Sequence, residues 1–324
     1  MKEPLVNRLQ KVPLNSGFRQ EGYFVWCGSV IKADGEYHLF ASRWPKVSTF
    51  PEGYRDHSEI VRATASCAEG PYTFQEVVLT GRGGSYWDGK MCHNPKIVRI
   101  GETYVLYYIG SACGSGLRKI GYAHSLSPAG PWTRMDEPIP LGEDANNPAP
   151  LVLDDGAVLM AYRDLDLHMH IARAPSFDGE YRILAEDIFP AGPLEDPDLF
   201  FENGEYHMVI EDNEGVLTGH VRFGGHLVST DGVTWRPCSA KIAYTHHIEF
   251  EDGSELDAER RERPQLFCDS PGATGNAGGP THLVTAVLAR GESWCLIQPI
   301  RPDIGSDMAN SSGAQQNACY QLNP

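Results

Sequence analysis

Strand-length stretches in which apolar and polar residues alternate recur along the whole chain, as in EYHLF from Glu36 and TYVLYY from Thr103. A period of two predicts strands with one buried face. Pairs of such stretches are joined by Ala33-Asp34-Gly35, Gly101-Glu102, Asp154-Asp155-Gly156 and Asn203-Gly204, the residue types that tight hairpins require. Five copies of this unit are visible: CGSVIKADGEYHLFASR from Cys27, HNPKIVRIGETYVLYY from His93, NPAPLVLDDGAVLMAYR from Asn147, EDPDLFFENGEYHMVI from Glu195 and ERPQLFCD from Glu262. A second repeat follows the hairpins, seen in EIVRATASCAEGPYTF, KIGYAHSLSPAGPWTR, HIARAPSFDGEYRI and HLVSTDGVTWRP. Four strands per unit, repeated five times, predict an all-β protein: a five-bladed β-propeller of four-stranded antiparallel blades around a central pocket. No run of helical period stands out. Residues 1–302 are expected to form this single domain and 303–324 a flexible tail. The last blade is abbreviated, so residues before about Gly22 are expected to help close the ring. Residues 270–279, rich in Gly, Ala and Pro, are expected to form a loop.

Strand direction sorts the polar residues. If the first strand of each blade begins at the functional face, that face collects the strand starts and the loops between second and third strands. The residues so selected are Trp26, Cys27, Arg43 and Glu59 from blade one, then Trp87, Asp88, His93 and Asn94. Asn146, Asn147 and Arg163 follow from blade three, Glu195, Asp196 and His226 from blade four, and Glu262 and Arg263 from blade five. Buried polar groups are costly unless paired, so their convergence reads as a polar ligand site. The same rule also brings Asp212 and Asn213 to this face.

Charge narrows the ligand. Lys and Arg total 27 against 43 Asp and Glu, a net charge of −16. Such a surface repels phosphate backbones and anionic lipid, so neither nucleic acid nor a membrane is an expected partner, and no apolar run is long enough for a spanning helix. The eight cysteines contain no CxxC pair and the first residues lack an apolar signal core; reduced thiols and a cytoplasmic location are expected. Oligomeric state is not legible.

The motifs HNPKIVRIGETYVLYYIG, IGYAHSLSPAGPWTR, EDPDLFFENGEYHMVI and VSTDGVTW resemble those of the five-bladed propeller glycosidases: glycoside hydrolase family 43 and its relatives in families 32, 62, 117 and 130. The resemblance covers roughly residues 23–299 and implies action on a carbohydrate. In family 43 the general acid is a Glu opening the fourth blade, and Glu195 falls there. The family's base, an Asp opening the first blade, is replaced by Cys27, and the Asp of the third blade by Asn147. The resemblance therefore implies a divergent active site. Some relatives carry an axial ion; no cofactor is required here, and His93 and His226 are the candidates to hold a divalent cation on the propeller axis.

Hydrolysis with inversion needs a proton donor and a base about 6.5–9.5 Å apart. Glu195 is the expected donor, its pKa raised by repulsion from Asp196. Asp88, beside Trp87, and Glu59 are the candidate bases; Asp196 is the alternative base, with Glu195 then binding substrate. Arg43, Arg163 and Arg263 suit an acidic sugar but equally suit ion pairs with neighbouring carboxylates. Asn94, Asn146 and Asn147 suit neutral hydroxyls. Cys27 has no visible activating base and is read as lining the site. His168-Met169-His170 shares one strand face and reads as a surface pair. The function expected is an exo-acting, inverting glycoside hydrolase for a small glycoside or oligosaccharide. The alternatives are a carbohydrate-binding propeller without turnover and a glycoside phosphorylase.

Overall fold

A computed structural model of the chain describes residues 3–269 and 279–303. The expected tail and most of the expected 270–279 loop fall outside these residues. A single helical turn, α1 (Leu5–Arg8), precedes blade one: β1 (Tyr23–Ala33), β2 (Glu36–Pro45) and, after the turn α2 (Tyr54–His57), β3 (Glu59–Ala65) and β4 (Thr73–Leu79). Blade two is β5 (Met91–Ile100), β6 (Thr103–Ser111), β7 (Lys119–Ser125) and β8 (Thr133–Arg134). Blade three is β9 (Asn146–Val152), β10 (Val158–Arg163), β11 (Met169–Ala174) and β12 (Arg182–Ala185). Blade four is β13 (Leu194–Glu202), β14 (Glu205–Asp212), β15 (Phe223–Ser229) and β16 (Arg236–Tyr244). A small hairpin, β17 (His247–Glu249) and β18 (Glu255–Asp257), leads to blade five: β19 (Arg260–Phe267), β20 (His282–Ala289) and β21 (Glu292–Pro299).

Every blade is an antiparallel meander in sequence order. The hairpin turns use the residues the sequence marked: Asp34 and Gly35 both have positive φ, as do Asn203 and Gly204, the backbone of a type I′ turn. The innermost strands touch in the cycle β1, β5, β9, β13, β19 and back to β1, so the ring is closed with five blades. Closure uses the N-terminal segment. Phe18 exchanges both backbone hydrogen bonds with Cys295 of β21, at 2.9 and 3.1 Å, and thereby supplies the fourth-strand position that blade five lacks. This matches the expectation for residues before Gly22 and ties the two ends of the propeller together.

The apolar core lies between blades rather than on the axis. Tyr107 and Tyr122 of blade two pack with Met160 and Tyr162 of blade three, and Leu151, Leu159 and Ile171 of blade three pack with Leu199, Met208 and Leu227 of blade four. Each sheet thus has both faces covered, which leaves the inner strand ends free for polar residues. Cys27, Cys92, Cys113, Cys238, Cys268 and Cys295 are free, but Cys67 is disulfide-bonded. Among the described residues no helix is long and apolar enough to cross a membrane.

Candidate active site

Each inner strand carries the same irregularity near its start. The ladder slips between Trp26 and Ser29, His93 and Lys96, Glu195 and Asp198, and Glu262 and Gln265, and opposite Asn146 in blade three. At every slip one residue has left-handed backbone: Cys27, Asn94, Asn147, Asp196 and Arg263, with φ from 52° to 58°. This is a β-bulge, in which one extra residue bends the strand and re-aims a side chain. A left-handed residue other than glycine costs on the order of 1–3 kcal/mol, so five at one level mark a site that the fold holds in place. Proline follows four of them, where its missing N–H is tolerated. In blade one Gly28 follows instead, and a Cβ there would sit 2.9 Å from Cys295 Sγ.

The bulge corrects the frame of the repeat by one residue. Cys27 is equivalent to Asn94, Asn147, Asp196 and Arg263, whereas His93, Glu195 and Glu262 are equivalent to Trp26 and Asn146. A one-residue offset moves a side chain to the other face of its strand, so the two sets form two distinct rings.

The left-handed set forms a chain of hydrogen bonds around the axis. Cys27 Sγ donates to Asn94 Oδ1 at 2.8 Å, and Asn94 Nδ2 donates to Asn147 Oδ1 at 2.6 Å. Asn147 Nδ2 donates to Asp196 Oδ1 at 2.6 Å, and Arg263 Nη1 donates to Asn147 Oδ1 at 2.5 Å while ion-pairing with Asp196. All five blades therefore contribute to one polar floor. Burial pushes the Cys27 thiol well up, aided by Asp196 and opposed by Arg263, so the sulfur remains a donor thiol.

Glu195 stands on this floor with 18% of its side chain exposed. Arg163 Nη2 meets its Oε1 at 2.6 Å, Asn213 Nδ2 donates to Oε2 at 3.3 Å, Asn147 Nδ2 reaches Oε1 at 3.4 Å, and Arg263 Nη2 lies 4.0 Å away. Burial works to raise its pKa, but Arg163 and Arg263 outweigh that and hold it at about 2. The expectation of a raised pKa at Glu195 is therefore reversed. The raised member is Asp196, pushed up to about 7 by burial and by the charges of Glu195 and Glu262, against the pull of Arg263. Glu195 and Asp196 both lie within hydrogen-bond reach of Asn147 Nδ2, closer together than the separation of about 6.5–9.5 Å that inversion uses.

Behind this pair, Asp196, Glu211 and Glu262 bring carboxylate oxygens within 4.8 Å of one another. Burial and the neighbouring carboxylates push Glu211 well above the ordinary range. Arg222 Nη1 bridges Glu211 and Glu262 at 2.8 and 2.9 Å, and Arg260 Nη1 approaches Glu262 at 3.3 Å. Arg222, Arg260 and Arg263 already contact the oxygens of Glu211, Glu262 and Asp196, so the cluster does not fit a divalent cation. Glu211 was not selected from sequence, yet the register rule identifies it. Arg163 pairs with Asn146 at the start of β9, and Glu211 pairs with Glu195 at the start of β13 in the same way.

Other expected residues lie elsewhere. Asp88 is fully buried, held by Arg82 at 2.6 Å, Tyr108 at 2.8 Å and Arg134 at 3.3 Å; with no exposed surface it cannot serve as a base for bound substrate. Trp87 stacks on Tyr108 at 5.1 Å and fills the interior of blade two. Arg43 pairs with Val25 rather than with Trp26, so strand parity turns it off the axis. Its guanidinium lies over Tyr23 and Phe74 and binds Glu59 at 2.7 Å, and Glu59 is thereby an ion-pair partner and not a free base. His226 contacts His207 at 3.0 Å and stacks with Phe200, and burial lowers its pKa to about 3. His93 instead meets Ser58 at 2.7 Å and stacks on Tyr54, with its pKa lowered well below normal by burial and by Arg263. Among the described residues neither histidine belongs to a cluster of metal-ligating side chains. Trp26 packs edge-on against Phe50 and Asn146 Oδ1 accepts the Asn147 backbone N–H at 2.9 Å, both at the level of Glu195.

The far end of the inner strands differs. Lys96 and Asp198 form a buried pair at 2.5 Å above a cavity of about 500 Å³ lined largely by apolar residues such as Ile97, Leu151, Phe200 and Phe267.

No protein-family model and no curated protein matches the chain. Among solved structures, the fold is similar to a family 117 glycoside hydrolase of the marine bacterium Zobellia galactanivorans, with 17% identity over 95% of this chain and 94% of that one and a TM-score of 0.64. It is similar to a thermostable family-43 glycoside hydrolase, with 13% identity over 95% and 100% of the two chains and a TM-score of 0.63. It is also similar to the catalytic domain of a family 62 α-L-arabinofuranosidase of Coprinopsis cinerea, with 13% identity over 92% and 95% and a TM-score of 0.58. At these identities the likeness is one of fold.

Proposed function

We propose that this propeller is a glycoside hydrolase that removes a sugar from a small glycoside or oligosaccharide at the mouth formed by the inner strand starts. The observation that carries the reading is the adjacent pair Glu195 and Asp196 at the bulge of blade four, where Arg163 and Arg263 hold the Glu195 pKa down while burial raises that of Asp196. Two carboxyls with opposed environments are the signature of an acid and its charged partner. Glu195 is the ionised carboxylate that faces the sugar and stabilises the positive charge of an oxocarbenium-like transition state. Asp196 is the carboxyl that retains a proton near neutrality. Asn147 and Arg263 hold both in register. The fold shared with propellers described as glycoside hydrolases supports the same reading.

The inversion expected from sequence depends on a second carboxylate across the sugar, and neither Asp88 nor Glu59 supplies one. The test is a panel of aryl glycosides and oligosaccharides, with and without phosphate, followed by NMR of the released anomer. Release of free sugar that ignores phosphate is expected. Phosphate-dependent turnover to a sugar phosphate would replace this reading with phosphorolysis. Saturable binding without any release would make the propeller a carbohydrate-binding protein, an outcome for which the pinning of Glu195 by Arg163 already gives a physical route.

A further inference from the structure

The hairpin between β10 and β11 reads Asp164-Leu165-Asp166-Leu167-His168-Met169-His170. Alternate residues are metal-ligating types, and the fold brings them together. Ligand atoms of Asp164, Asp166 and His168 all lie within 4.8 Å of one another. His168 Nδ1 and His170 Nε2 both approach the same oxygen, Asp164 Oδ2, at 3.3 and 3.2 Å. The His168–Asp164 separation matches the edge of a zinc tetrahedron, about 3.3 Å for bonds of 2.0–2.1 Å, while His170 lies outside the three-residue group. No Lys or Arg side chain is ion-paired to these residues among the described contacts, in contrast to the carboxylates of the axis.

We infer that Asp164, Asp166 and His168 form a binding site for a first-row divalent transition ion such as Zn²⁺ at the rim of the propeller, with water completing the shell. A mixed imidazole and carboxylate set suits zinc, cobalt or manganese better than calcium, which prefers an all-oxygen shell. The exposed side of the hairpin gives the ion an entry path, since Asp166 and His168 are both solvent-exposed. Asp164 accepts the His168 backbone N–H at 2.9 Å and orients the loop around the proposed centre. The site is independent of the hydrolytic reading, because it touches none of the axial carboxylates; Arg163, which donates to the Asp164 carbonyl at 2.9 Å, is the nearest link between the two.

The experiment is equilibrium dialysis of the untagged, chelator-stripped full chain against Zn²⁺, with Co²⁺ absorption as a second readout. About one equivalent of zinc and a tetrahedral cobalt spectrum are expected. His168→Ala and Asp166→Asn, both at exposed positions and each to be checked for folding by circular dichroism, should each weaken binding by about tenfold or more. Absence of stoichiometric zinc binding would overturn the inference. So would binding that survives both substitutions and is lost in Glu211→Gln, which would place the ion on the axis.

Discussion

Blade one and blade four bend their inner strands with the same left-handed residue and fill the bend with opposite chemistry. In blade one the pair is Trp26 and Cys27, an indole packed on Phe50 and a thiol whose pKa is raised by burial. In blade four it is Glu195 and Asp196, two carboxyls gripped by Arg163 and Arg263. The bulge is therefore a geometric device that all five blades share. Reactivity is assigned blade by blade through the side chain placed on it and through the second strand beside it: Ser42 faces Trp26, whereas Glu211 faces Glu195. The charged half of the ring lies in blades three to five, and blades one and two supply shape and neutral hydrogen bonds.

Substitution on the charged side should cost most. Glu195→Gln retains shape and removes the ionised carboxylate, so turnover of a cleaved glycoside should fall by roughly 10²–10⁴-fold with binding of the sugar less affected. Steady-state kinetics on the best substrate of the panel checks this; near-normal turnover would mean that blade four is no more reactive than blade one.

A smaller effect separates the two members of the charged pair through pH. The Asp196 carboxyl has its folded pKa raised to about 7, against about 3.9 in an unfolded chain. Between those values the folded state holds a proton that the unfolded state has released, so this group lowers stability as pH rises from about 4 to about 7. Glu195 has the opposite sign. Its folded pKa of about 2 makes its contribution full above about 4.3 and lost as pH falls through 2. Melting temperatures of wild type and Asp196→Asn across pH 4 to 8 should therefore diverge, with the variant gaining relative to wild type as pH rises. Parallel profiles would show that Asp196 is ionised throughout and that Arg263 wins over burial.

The smallest effect belongs to blade one. Cys27→Ala removes one hydrogen bond to Asn94 and a small buried group, which should cost about 1–2 kcal/mol of stability and leave turnover within a few-fold of wild type. Denaturant unfolding and kinetics on the same preparation measure both. A folded Cys27→Ala protein without activity would overturn the division of labour between the two blades.

Local pattern sufficed for the architecture because a propeller blade is built from neighbours in sequence. Alternation at EYHLF and TYVLYY marked strands, Asp34-Gly35 and Asn203-Gly204 marked hairpins, and the repeat counted the blades. The polar strand starts also pointed to the end of the inner strands where Asn94, Asn147, Glu195, Asp196 and Arg263 lie, though not to their division into two rings. Sequence did not reveal the bulge, since an extra residue in one strand leaves no trace without its partner's register. That single slip decided that Asp196, not Glu195, is the equivalent of Cys27. Nor did it reveal which ionisable groups meet. Asp88 and Glu59 looked free along the chain, but Arg82 from the same loop as Asp88, Arg134 from β8 and Arg43 from β2 neutralise them. Arg163 and Arg263 arrive from blades three and five to reverse the expected pKa of Glu195. Strand and turn preferences act over a few residues and are written in the sequence; charge acts through space, across contacts that only the closed ring brings within reach.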